Sequence, residues 1–128
     1  MNATLKLGEH FIFVLSDCNH EILMDSERAY SLFAQAVHES GLTVVDEGFY
    51  KFSPHGFTCF LLLAESHASL HTWPEYGYCA IDLFTCAIGK DMMPLIQRIK
   101  EAFGAESFAL RKFDREAEVE TQPIPISV

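Results

Sequence analysis

Residues 56–66, GFTCFLLLAES, constrain the fold more than any other stretch, because nearly every position from Gly56 to Ala64 is apolar. The turn-forming Ser53-Pro54-His55-Gly56 precedes it, so the run reads as a strand entered from a tight turn. A strand apolar on both sides needs cover on both faces. One layer of helices can cover one face, and a second sheet, supplied by another subunit, can cover the other.

The flanking sequence supplies those helices. Asp25-Ser26 reads as a helix start, and Ala29, Leu32, Phe33, Ala36 and Val37 follow at helical spacing up to a stop at Gly41. Lys90 onward repeats the pattern with Met92, Leu95, Ile96, Ile99 and Phe103, stopped by Gly104. Strands are expected at 5–16, 42–52, 78–86 and 105–113, with turns at 17–19 and 74–77. Residues 67–72 read as a continuation of the apolar strand. From Asp114 the charged tail, with Pro123 and Pro125, reads as loosely held. The expected architecture is one α+β domain over residues 1–128. It is a two-layer sandwich ordered β-α-β-β-β-α-β, with a mostly antiparallel sheet and two helices on one face. No repeat, low-complexity segment or linker divides the chain.

Composition narrows the function. At 128 residues with 49% apolar side chains, eleven of them Phe, the chain can build one sizeable core. A net charge of −9 argues against nucleic acid or an anionic membrane surface as partner. No segment approaches the roughly 20 apolar residues of a membrane span, and the N-terminal run is broken at Asp17, unlike a signal peptide. Cys18, Cys59, Cys79 and Cys86 lack paired CxxC spacing, so reduced thiols in a cytoplasm are expected, with Cys59 and Cys79 as small buried hydrophobes.

Chemistry concentrates between Glu65 and Cys86, ESHASLHTWPEYGYCAIDLFTC. His67 and His71 have the HxxxH spacing of a helical metal pair. On a strand a four-residue step separates them by about 13 Å, so no metal site is expected. Ser66 sits in no GxSxG elbow, and no orienting acid for a triad is evident.

The whole run closely resembles the signature of the prokaryotic S-adenosylmethionine decarboxylase proenzymes: Glu-Ser-His, then His-Thr-Trp-Pro-Glu-Tyr-Gly-Tyr, then Asp-x-Phe-Thr-Cys. KFSPHG and Gly8-x-His10 also look like family features, and the resemblance spans about residues 7 to 110. It implies self-cleavage at Glu65-Ser66 into a β chain, 1–65, and an α chain, 66–128. Ser66 would become a pyruvoyl group, with no pyridoxal phosphate and no metal. That group would form a Schiff base with the substrate amine and accept electrons as carbon dioxide leaves. By resemblance, His71 serves proton transfer in processing, Thr58 stands where relatives have an assisting serine, and Cys86 is the proton donor in catalysis. Phe52 would pack on the adenine or sulfonium, Glu75 would hold the ribose hydroxyls, and Trp73 would support that pocket. His67 reads as either catalytic support or a satisfied hydrogen-bonding residue, with the second preferred.

The implied product is the aminopropyl donor for spermidine synthesis, and the implied assembly is an (αβ)2 dimer with sites between protomers. Two departures stand out: Glu9 replaces the Arg of Gly-Arg-His, and Ala87 replaces the Gly after the cysteine. An acidic residue near the substrate would suit arginine or ornithine, so a pyruvoyl-dependent decarboxylase for those amino acids is one alternative. An uncleaved binding or regulatory homologue is another.

Overall fold

The structure, a computed structural model, describes residues 2–120. Its order is β1 (Asn2–Ser16), α1 (His20–Met24), α2 (Ser26–Glu39), β2 (Val44–Lys51), β3 (Phe57–Leu63), β4 (Ser66–Trp73), β5 (Tyr78–Thr85), α3 (Met93–Ala102) and β6 (Ser107–Glu120). The six strands form one sheet in the order β2-β3-β4-β5-β1-β6, and every neighbouring pair is antiparallel. The α+β sandwich expected from the sequence is the observed fold.

Strand alternation builds the core. Phe11, Phe13, Leu15, Phe57, Leu61, Leu70, Ile81 and Leu83 point to one face, where Phe33, Val37, Ile96, Ile99 and Phe103 meet them in one buried cluster. Each such side chain contributes roughly 1.5–3 kcal/mol by leaving water. Asp25 caps α2 by accepting the Arg28 amide at 3.1 Å, where the sequence places the start. The doubly apolar run divides as its period requires. Phe57, Cys59, Leu61 and Leu63 are buried under the helices, while Phe60 and Leu62 remain about half exposed on the other face. Ile12, Val14, Trp73, Tyr78 and Phe113 are also exposed, and the strand registers place them on that same outer surface.

Four details correct the sequence reading. Residues 56–72 are not one extended segment but a hairpin, β3 and β4, whose Leu63 pairs with Ser66 across a tip at Ala64-Glu65. That tip carries no Gly or Asn, so the usual hairpin signal is missing. A five-residue helix, α1, follows Asn19, whose side chain accepts the Ile22 amide at 3.1 Å. β1 begins at Asn2 rather than at residue 5. Residues 114–120 are not loose but pair with β1, from Asp114 opposite Glu9 to Glu120 opposite Asn2. Pro123 and Pro125 lie outside the described residues.

Candidate active site

The β3–β4 hairpin puts its strain on the serine. Ser66 has φ of +149°, a region that costs a non-glycine residue about 1–3 kcal/mol. The tip is tied down on both sides. The Glu65 carboxylate accepts the Thr43 amide at 3.0 Å and the Thr43 hydroxyl at 3.1 Å, and the Thr43 amide foremost holds that carboxyl below its ordinary pKa. The Glu65 carbonyl, on the peptide bond to Ser66, accepts the Cys86 amide at 2.8 Å. Sheet register explains this long-range contact: Ser66 pairs with Thr85, so Cys86 arrives beside Glu65 as β5 ends. A donor on that carbonyl is aimed at the atom where negative charge would develop under attack. The Cys86 thiol is exposed beside the same peptide bond. Cys59, by contrast, is buried, and burial pushes its thiol up to about 12; Cys79 is buried and also raised, first by its Cys18 neighbour.

The other end of β4 carries a cavity of about 340 Å³ lined by Phe52, His55, Thr58, His71, Thr72, Trp73 and Glu75. Five of these are residues singled out from the sequence. Thr58 pairs with His71 across β3 and β4, and its hydroxyl lies 2.9 Å from His71 Nδ1. The His71 and Trp73 rings are 6.4 Å apart, as their alternate positions on one strand face dictate. His55, to which the sequence reading gave no role, bonds the Glu75 carboxylate and fixes it at the cavity wall.

The two ends do not meet within one chain. Five residue steps along β4 separate Ser66 from His71, about 17 Å at a rise of 3.3–3.4 Å. The hairpin-tip residues and the cavity residues therefore form two separate clusters.

Glu9 belongs to neither. It is buried on the helix side, bonded to Lys6 at 2.9 Å and Lys112 at 3.0 Å, and Lys6 first, then Lys112, holds its carboxyl below the ordinary value. The expected shift of the substrate end by Glu9 has no geometric basis. Ala87 keeps its amide on the Thr85 hydroxyl at 2.9 Å.

His67 and His71 stand four residues apart on β4, as expected. His67 instead meets His10 and Asp82, two residues quoted in the motifs but given no role. His10 Nε2 lies 2.6 Å from Asp82 Oδ1, a direct hydrogen bond. Two atoms bound tetrahedrally to one ion at about 2.1 Å would stand about 3.4 Å apart. The cluster is thus closed on itself as it stands.

This fold has a close counterpart. A crystal structure of the adenosylmethionine decarboxylase from Aquifex aeolicus superposes with a TM-score of 0.81 at 29% identity, covering 94% of this chain and 98% of that one. The architecture is therefore that of the adenosylmethionine decarboxylase class. Residues 9–116 match the family described as S-adenosylmethionine decarboxylase. Proteins named S-adenosylmethionine decarboxylase proenzyme are similar across most of the chain. The one from Thermosipho melanesiensis is 46% identical over 89 residues, 70% of this chain and 67% of that protein. The one from Thermotoga maritima is 37% identical over 110 residues, covering 86% and 85%. The one from Prochlorococcus marinus is 40% identical over 112 residues, covering 86% and 88%. The chain belongs to the S-adenosylmethionine decarboxylase family.

Proposed function

We propose that this chain cleaves itself between Glu65 and Ser66, converts Ser66 to a pyruvoyl group, and decarboxylates S-adenosylmethionine. The observation that carries the reading is the Cys86 amide bonded to the Glu65 carbonyl beside a strained Ser66. Attack by Ser66 Oγ on that carbonyl moves the Glu65 acyl group from nitrogen to oxygen. A single preset donor on the developing oxyanion typically contributes about 100- to 1,000-fold in rate. Loss of the Ser66 Cα proton then expels Glu65 as a carboxylate. The dehydroalanine left at position 66 tautomerises to an imine, and water replaces its nitrogen, which departs as ammonia. The strain at Ser66 favours leaving the precursor.

A pyruvoyl carbonyl supplies the electron sink that pyridoxal phosphate supplies elsewhere. Around it the chain's own groups divide the work. Phe52 and Trp73 offer aromatic faces to a sulfonium or adenine, and Glu75, steadied by His55, offers two acceptors to ribose hydroxyls. The Cys86 thiol delivers the proton to the substrate carbon. Thr58 orients His71, which removes the Cα proton in processing.

His71 reaches Ser66 only from a second copy. A two-fold axis on the outer sheet face sets one protomer's cavity against the other's hairpin, and the exposed Ile12, Val14, Phe60 and Leu62 become the contact. The active unit is an (αβ)2 dimer of chains 1–65 and 66–128. No helix among the described residues is long and apolar enough to cross a membrane. Four unpaired thiols suit a cytoplasmic enzyme, whose product serves spermidine synthesis as aminopropyl donor. Carbon dioxide release from carboxyl-labelled S-adenosylmethionine, arginine and ornithine tests the reading. Release from S-adenosylmethionine alone is expected, and release from either amino acid instead would overturn it.

A further inference from the structure

Ser66 lies at the end of a line of polar side chains that crosses four strands. Its Oγ is 3.4 Å from His67 Nδ1. The other ring nitrogen, His67 Nε2, is 3.5 Å from Asp82 Oδ1. The same carboxylate oxygen is 2.6 Å from His10 Nε2, and Arg115 Nη1 is 3.5 Å from His10 Nδ1. Sheet order creates the line, because β4, β5, β1 and β6 are successive neighbours. Phe84 holds the two imidazoles apart, with ring centroids 5.4 Å from His10 and 5.8 Å from His67, and the Arg115 guanidinium sits over it at 5.3 Å.

Each proton along the line has one place. Arginine has only donors, so His10 Nδ1 accepts and His10 Nε2–H donates to Asp82. The carboxylate only accepts, so His67 presents its Nε2–H to Asp82. That leaves the Nδ1 lone pair of His67 facing the Ser66 hydroxyl. A nucleophilic hydroxyl, an imidazole and an orienting carboxylate recur in this relation on several unrelated folds that activate serine. Contacts of 3.4–3.5 Å are the loose form such sites take before the reacting geometry closes.

We infer that His67 is the catalytic base of the acyl shift, with Asp82 and His10 as positioning residues. This rests on the self-cleavage reading and divides its proton transfers between two histidines. His67 Nδ1 takes the Ser66 Oγ proton as the new C–O bond forms. It returns that proton to the Ser66 nitrogen as the C–N bond breaks, so the step is an isomerisation that needs no co-reactant. His71 of the second copy acts afterwards, on the Ser66 Cα proton. Arg115, opposite Gly8 where the pairing of β6 with β1 shifts register, ties the last described strand to this chemistry.

Hydroxylamine separates the two steps, because it cleaves an ester at Glu65 but not an amide. H71A, freshly purified, should accumulate ester and split at residue 65 on treatment. H67A combined with H71A should form ester about 100-fold more slowly, and free imidazole should restore part of that rate, which a merely structural role would not allow. D82N on the H71A background, nearly isosteric and fold-sparing, should slow ester formation at least tenfold. Ester formation in the folded double variants at the H71A rate would overturn the role of His67 while leaving self-cleavage intact. A wild-type chain that never cleaves would overturn both.

Discussion

Replacing Ser66 with glycine should stabilise the uncleaved chain relative to replacing it with alanine, although glycine ordinarily weakens a strand. Both variants lack the nucleophile, so both stay in one piece and can be compared directly. In an ordinary strand interior glycine costs about 0.5–1 kcal/mol against alanine. At φ +149° alanine keeps a strain of about 1–3 kcal/mol that glycine escapes. At the middle of these ranges the balance favours glycine by about 1–1.5 kcal/mol. With a urea dependence of about 2 kcal/mol per molar, the unfolding midpoint of S66G should lie about 0.5–0.75 M above that of S66A. Equilibrium urea denaturation at matched protein concentration reads this difference, since the proposed dimer would make midpoints concentration-dependent. A midpoint for S66A equal to or above that of S66G would refute stored strain at the scissile bond.

Three further outcomes follow from the same geometry. Co-expressed S66A and H71A should cleave the H71A chain in mixed dimers, because one intact composite site survives there, whereas each variant alone should yield no separated chains; gel analysis of the mixture reads this. C86A keeps its backbone amide on Glu65, so the chain should still split, while decarboxylation falls about 100- to 10,000-fold with loss of the proton donor; mass and turnover of one preparation check both halves. E9Q should lower stability by about 1–2 kcal/mol at neutral pH, since a buried carboxylate loses two lysine partners that are themselves partly exposed. The Glu9 carboxyl is depressed when folded. Its contribution is therefore present above the ordinary carboxylate pKa of 4.5 and fades as pH falls through the lowered value. The wild-type and E9Q denaturation curves should converge in acid.

Much of this was legible in the chain because periodicity and caps act locally. Asp25, the apolar stripe after it and Gly41 delimit α2, and the continuous apolar run around Leu61 marks a strand. The cavity residues Phe52, Thr58, His71, Trp73 and Glu75 were legible only through the family resemblance. Nothing in their spacing says that β3 and β4 pair Thr58 with His71. The Ala64-Glu65 tip escaped because it has no glycine or asparagine and places its unusual φ on Ser66, which is the position the proposed chemistry uses. Residues 114–120 escaped because both faces of that ribbon are largely exposed. Without an apolar face to alternate, a strand held by backbone pairing to residues 2–9 reads as a charged tail. α1 is too short to display a period. Asp82 and His10 lie 72 positions apart, and only the adjacency of β1 and β5 brings them together.

The intact mass of the freshly purified protein under denaturing conditions tests the central claim most directly. The account predicts two chains, one ending at Glu65 and the other beginning at position 66. The second should be lighter by one ammonia than a fragment starting with serine. A single uncleaved chain, unchanged after prolonged incubation, would leave the protein without an electron sink and contradict the account.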